Sequence, residues 1–156
     1  MLKVYPKDKI IVSACLLGEY CRYDGQTKYD KELLKWLDDK EVIPFCPEDP
    51  LFGTPRPAIS VVQDSDAFRL IRSSDHADIG QLIINETQRF IDKNPTVKWA
   101  VLKSKSPSCG FNTTPIYDKN GVEIAKGDGF AASLMKKHSY IIRNEINYKD
   151  IKEEND

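Results

Sequence analysis

Residues 9–17, KIIVSACLL, are apolar almost without interruption and stop at Gly18. A strand with one wet face alternates apolar and polar residues. An unbroken run therefore predicts a strand buried on both faces, as in parallel sheets covered by helices. EVIPFC, which stops at Pro47, and VKWAVLKS predict two more strands, and SYIIRNE a last one. Helical signals lie between them. Asp30 can cap a short helix with Leu33, Leu34 and Leu37 on one side and Lys31, Lys35 and Asp38 outside. Asp78 to Lys93 carries Ile79, Leu82, Ile83 and Phe90 at helical spacing and closes at Asn94-Pro95. Asp128 is expected to cap FAASLMKKH, whose Lys136 and Lys137 suit a helix C-terminus.

AISVV and AFRLIRS, split by QDSD, predict a hairpin, and Asn120-Gly121 marks the turn of another. PEDPLFGTPRP, rich in proline, is expected to be a structured loop with no helix. Strands alternating with helices predict an α/β class. The expected architecture is a single Rossmann-like domain over residues 1–146, with a mainly parallel sheet and a small β-hairpin. Residues 147–156 form a polar C-terminal tail.

The chain has 156 residues, enough for one domain with a real core. Lys plus Arg total 23 and Asp plus Glu 24, for a net charge of −1, so no electrostatic case exists for nucleic acid or an acidic membrane. The start, MLKVYPKDKIIVSACLLG, shows no signal-peptide pattern, and no window approaches the roughly 18 apolar residues of a membrane span. A cytoplasmic protein is expected. Four cysteines in such a setting are core filler, catalytic thiols or metal ligands rather than disulfides.

Cys15, Cys46 and Cys109 each follow a predicted strand and precede turn chemistry. In parallel sheets the carboxyl ends share one edge, where ligands bind. Three thiols distant in sequence are therefore expected to converge. Each alone could fill a strand end. No CxxC pair supports a zinc knuckle, whereas an iron–sulfur cluster takes cysteine thiolates, and a site with three of them leaves one iron open.

SACLLGEYCRYDG, FCPE, GTPRP, VLKSKSPSCG and GDGFAASL followed by YIIRNE resemble, in order and from residue 9 to 145, the bacterial thiouracil desulfidase family. The resemblance implies a Rossmann-like domain with a 4Fe–4S cluster held by only three cysteines. Its free iron takes sulfur from a thiolated nucleobase such as thiouracil without net redox chemistry. Carried over by motif, the ligands are Cys15 of CLLG, Cys46 of CPE and Cys109 of SPSCG. Cys21 stands where the family pattern often has an apolar residue, which leaves it as a packed side chain, a reserve ligand or a target for oxidation. His138, Ser139 and YDKNG depart from the family's turn chemistry without touching the cysteine motifs.

Hydrolytic removal of sulfur needs a base for water and a proton source. Glu48, two residues after Cys46, is the expected base; the competing reading is a solvated loop carboxylate. Ser106 is the expected proton relay, and Ser108, Lys103, Arg22 and Asp24 the expected substrate contacts. Serines beside Pro107 also serve turn chemistry. Arg22, Asp24 and Arg56 also suit loop-pinning ion pairs, and Tyr23 could stack on a planar base. A small thiolated base is the expected partner, rather than tRNA. Two other function classes are consistent with these residues: a non-catalytic metal-binding or redox-sensing cysteine module, and a cluster-free thiol enzyme using one nucleophilic cysteine.

Overall fold

In the computed structural model, which describes residues 9–150, β1 (Lys9–Ser13) lies inside a four-stranded parallel sheet. Its neighbours are β2 (Glu41–Phe45) and β5 (Trp99–Val101), and β8 (Ile141–Arg143) flanks β5. Successive strand residues face opposite sides, and both sides are covered. Ile10 and Val12 pack with Leu33, Leu37, Trp99, Val101 and Tyr148. Ile11 joins a second cluster with Ile83, Ala100, Leu102 and Met135. Ile10, Ile11 and Val12 are fully buried, each contributing about 1.5–3 kcal/mol. Two covered faces explain the unbroken apolar run.

Leu33 and Leu37, on the Ile10 side, belong to α1 (Lys31–Trp36) and its end, with Asp30 Oδ1 accepting from Leu33 N at 3.0 Å as expected. The other cluster draws on α3 (Gly80–Lys93) and α4 (Phe130–Lys137). Along α3 the buried residues are Gly80, Ile83, Thr87 and Ile91, each about one turn from the next. Leu82, expected on that apolar side, is exposed. One position before Ile83, it points about 100° round the helix.

The expected hairpins form and do more. β3 (Ile59–Asp64) pairs antiparallel with β4 (Ala67–Arg72), and β6 (Thr114–Tyr117) with β7 (Glu123–Gly127). Parallel pairing of β3 with β6 joins them into a second four-stranded sheet, ordered β4-β3-β6-β7. Its Ile59, Val61, Leu70 and Ile116 enter the α3 and α4 core.

Three local expectations need correction. The run to Leu17 is not all strand: Ala14–Leu17 form a 3-10 turn closed by Gly18, whose φ of 102° is left-handed. The proline-rich loop contains one helical turn, α2 (Asp49–Phe52), because Pro50 sits in the first turn, where no N–H is needed. Asp128 does not cap α4. Its Oδ1 accepts from Asn112 N, and Gly129 occupies the cap position with no side-chain bond. Tyr148, in the stretch read as a polar tail, is buried against Trp36 at 5.2 Å between ring centroids. Residues 151–156 and the first eight residues lie outside the described part. Among the described residues no helix is long and apolar enough to cross a membrane.

Candidate functional site

Cys15 sits in the turn leaving β1, Cys46 directly after β2, and Cys109 in the loop beyond β5. All three line one cavity of about 450 Å³ at the carboxyl edge of the parallel sheet. Each is held by its loop. The Cys15 carbonyl accepts from Thr27 Oγ1 at 2.8 Å and Lys28 N at 3.0 Å, which folds the following loop back over the turn.

SPSCG forms a helical turn: Gly110 N donates to Ser106 O at 2.8 Å, and Ser106 Oγ accepts from Ser108 N at 3.2 Å and Cys109 N at 3.0 Å. This turn stacks end-on against α4. Phe130 N donates to Pro107 O, and Ala131 N and Ala132 N donate to Ser108 O. The N-terminal amides of α4 are thus occupied by the cysteine loop. Gly129 permits the approach, since a Cβ there would lie 2.5 Å from Ser108 C.

Glu48 lines the cavity and is 9% exposed. Its Oε1 accepts from Arg56 Nε at 3.2 Å and its Oε2 from Ser108 Oγ at 2.9 Å. A buried carboxylate so held is oriented as well as neutralised. The solvated-carboxylate reading is thereby set aside. Arg56 also donates to Gly53 O and to Cys21 O, at 2.9 and 2.8 Å, tying the loops after β1 and β2 together. On the opposite wall, Lys103 Nζ stands 2.9 Å from Glu145 Oε2, and Glu145 accepts from Ser104 N and Oγ.

Burial pushes the Cys15 thiol up to about 11, against the lowering charge of Arg22, and holds the Cys109 thiol well above its ordinary value. Cys46 moves the other way, to about 7, chiefly through a hydrogen bond from the Cys21 side chain; Cys21 is raised in return. The Ser13 side chain offsets part of the rise at Cys109, and its hydroxyl accepts from Lys103 N at 2.9 Å. All four thiols are free.

Of the expected residues, Glu48, Ser106, Lys103 and Arg22 line the cavity with the three cysteines. Ser108 is fully buried behind Glu48 and does not line it. Asp24 is exposed outside it, accepting from Gln26 N and standing 3.8 Å from Arg22 Nε. Arg22 Nε is buried with no hydrogen-bond partner. Sequence reasoning missed Ser13 altogether. Its only signal was a hydroxyl at the carboxyl end of an otherwise apolar strand.

Fold and site together define an α/β protein with a thiol-ringed ligand cavity at the carboxyl edge of a parallel sheet. The profile of the 2-thiouracil desulfurase family matches residues 10–146, and the chain belongs to that family. A solved structure described as the 4Fe–4S-dependent thiouracil desulfidase TudS is similar at a TM-score of 0.67 and 29% identity, covering 93% of this chain and 95% of that one. The Bacillus subtilis (strain 168) protein YbbK, described as uncharacterised, is 29% identical over 152 residues, which span 91% of this chain and 99% of that protein.

Proposed function

We propose that this chain removes sulfur from thiolated nucleobases such as thiouracil, yielding the oxo base and hydrogen sulfide by hydrolysis without net redox change. The carrying observation is three free thiols from three separate strand exits around one cavity, with a held carboxylate beside them. Family membership and the named activity of the solved relative support the same reading.

The residues present fit a 4Fe–4S cluster. The donors are soft thiols, which suit iron–sulfur ligation. They ring a cavity rather than meet at one point: among the described residues, no three His, Cys, Asp or Glu side chains are gathered to hold a single metal ion. Cys15, Cys46 and Cys109 would hold the cluster, which when bound supplies an open soft iron that polarises the C–S bond.

The chain's own groups do the rest. Glu48 takes the proton of the attacking water, its direction fixed by Ser108 and Arg56. Ser106, whose hydroxyl caps the Cys109 turn, relays a proton toward the ring or departing sulfur. Lys103 and Arg22 hold polar atoms of the base; the buried Nε of Arg22, 3.8 Å from Asp24 Oδ1, makes no hydrogen bond and is the donor for that task. Asp24 acts by holding the Arg22 loop. A cytoplasmic, reducing setting suits thiols kept free for a cluster.

Anaerobic reconstitution with iron and sulfide, followed by visible absorption, iron content and sulfide release from thiouracil, tests this reading. Cys15→Ala, Cys46→Ala and Cys109→Ala are each expected to lose both absorption and activity while circular dichroism stays native. Retention of both in any one of them overturns that ligand. Glu48→Gln is expected to keep the absorption and lose turnover; full turnover in that variant overturns Glu48 as the base, and a loaded wild type that releases no sulfide favours the non-catalytic cysteine module.

A further inference from the structure

Cys21 is the one thiol of the cavity to which the proposed reaction gives no task. It lines the cavity with Cys46, and Cys46 Sγ lies 3.7 Å from the Cys21 carbonyl oxygen. Arg56 braces the pair, donating to Cys21 O and to Glu48 two residues beyond Cys46.

The other thiols are differently committed. Cys109 is buried, and its amide donates to Ser106 Oγ at 3.0 Å. Cys15 is fixed in the 3-10 turn, its carbonyl pinned by Thr27 and Lys28. Cys21 instead lies between Gly18 and Asp30, in a stretch that forms no helix or strand.

We propose that in the cluster-free protein Cys21 and Cys46 form a reversible disulfide, a modification site that withholds Cys46 from cluster binding until it is reduced. The proposal rests on the proposed function only in treating Cys46 as a cluster ligand. A bare thiol in an open cavity is exposed to oxidation toward sulfinic and sulfonic acids, which are irreversible for most proteins; a disulfide is not.

The co-reactant is a low-molecular-weight disulfide. The Cys46 sulfur attacks it, forming a mixed disulfide and releasing one small thiol. The Cys21 sulfur then attacks the Cys46 sulfur, breaks the mixed bond and releases the second small thiol. Both protein thiols are oxidised, the small disulfide is reduced to two thiols, and the two protein protons leave on them.

The full-length cluster-free chain is incubated anaerobically with oxidised glutathione, alkylated, digested and analysed by mass spectrometry. The expected product is one cross-linked peptide pair joining Cys21 to Cys46, undone by dithiothreitol. Cys21→Ser is expected to keep glutathione on Cys46 instead. Iron uptake by the oxidised wild type is expected to be lost and to return on reduction. A bridge from Cys46 to Cys15 or Cys109, a glutathione adduct persisting on wild-type Cys46, or no reaction at all overturns the proposal. The cross-link is read without cluster or substrate, so a failed desulfidase assay leaves it standing, and its own failure leaves the desulfidase reading untouched.

Discussion

Glu48 is gripped at both oxygens, by Arg56 on one and Ser108 on the other. Ser108→Ala leaves Oε2 unpaired in a buried setting, which costs about 1–3 kcal/mol of stability. It also frees the carboxylate to rotate. Turnover is expected to fall about 10- to 100-fold, as when a supporting hydrogen bond to a site residue is lost, with cluster absorption retained. Sulfide-release kinetics and urea titrations check both. The opposite wall gives a pH test. Burial raises the Glu145 carboxyl, but bonds from Ser104 and Lys103 outweigh it and hold the group below its ordinary value. Its contribution is therefore present above the ordinary glutamate range and lost as pH falls through the lowered folded-state value. Denaturant titrations from neutral to acid pH are expected to show this loss in the wild type and a flatter profile in Glu145→Gln. Glu48 was legible because CPE ties it to Cys46. Its Ser108 partner was visible only as a serine beside Pro107, since nothing local says which way a hydroxyl points.

The turn that carries Cys109 is positioned by an element far along the chain. The N-terminal amides of α4 bond the carbonyls of Pro107 and Ser108. Gly129→Ala would put a Cβ within 2.5–2.7 Å of the Pro107 and Ser108 backbone, which cannot yield as a side-chain tip can. The expected result is a loss of about 1–3 kcal/mol, typical of overpacking, together with weaker iron incorporation. Denaturant unfolding and iron analysis of the reconstituted variant measure the two. In the sequence, GDG before FAASL reads equally well as a helix cap, and the competing fact, a second loop docked on those amides, has no local signature. The proline-rich segment shows the same limit in reverse: α2 fits within it because its proline falls in the first turn.

At the scale of the molecule, the proposed cluster ligands lie on three segments leaving β1, β2 and β5. A group gripping all three binds the folded chain only, so its binding free energy adds to folding. Anaerobic thermal scans are expected to show a higher midpoint for loaded than for cluster-free protein, by about 2–4 °C for each kcal/mol of linkage. Cys109→Ser is expected to abolish the difference. Equal midpoints for loaded and cluster-free wild type would mean that the cluster does not bridge these segments.

The chain's sequence alone determined the elements whose cause is local or periodic. Unbroken apolar runs specified strands covered on both faces, and turn residues marked the hairpins. A mainly parallel sheet then implied a shared edge for Cys15, Cys46 and Cys109. Only the tertiary structure decided that the two hairpins join through β3 and β6, that Ser13 bonds Lys103 N, that Ser108 supports Glu48, and that Cys46 Sγ reaches the Cys21 carbonyl. Those are pairings between segments remote in sequence. Hydrophobic pattern fixes which face a residue occupies, whereas the partner of a buried polar group depends on how the packed layers bring distant loops together.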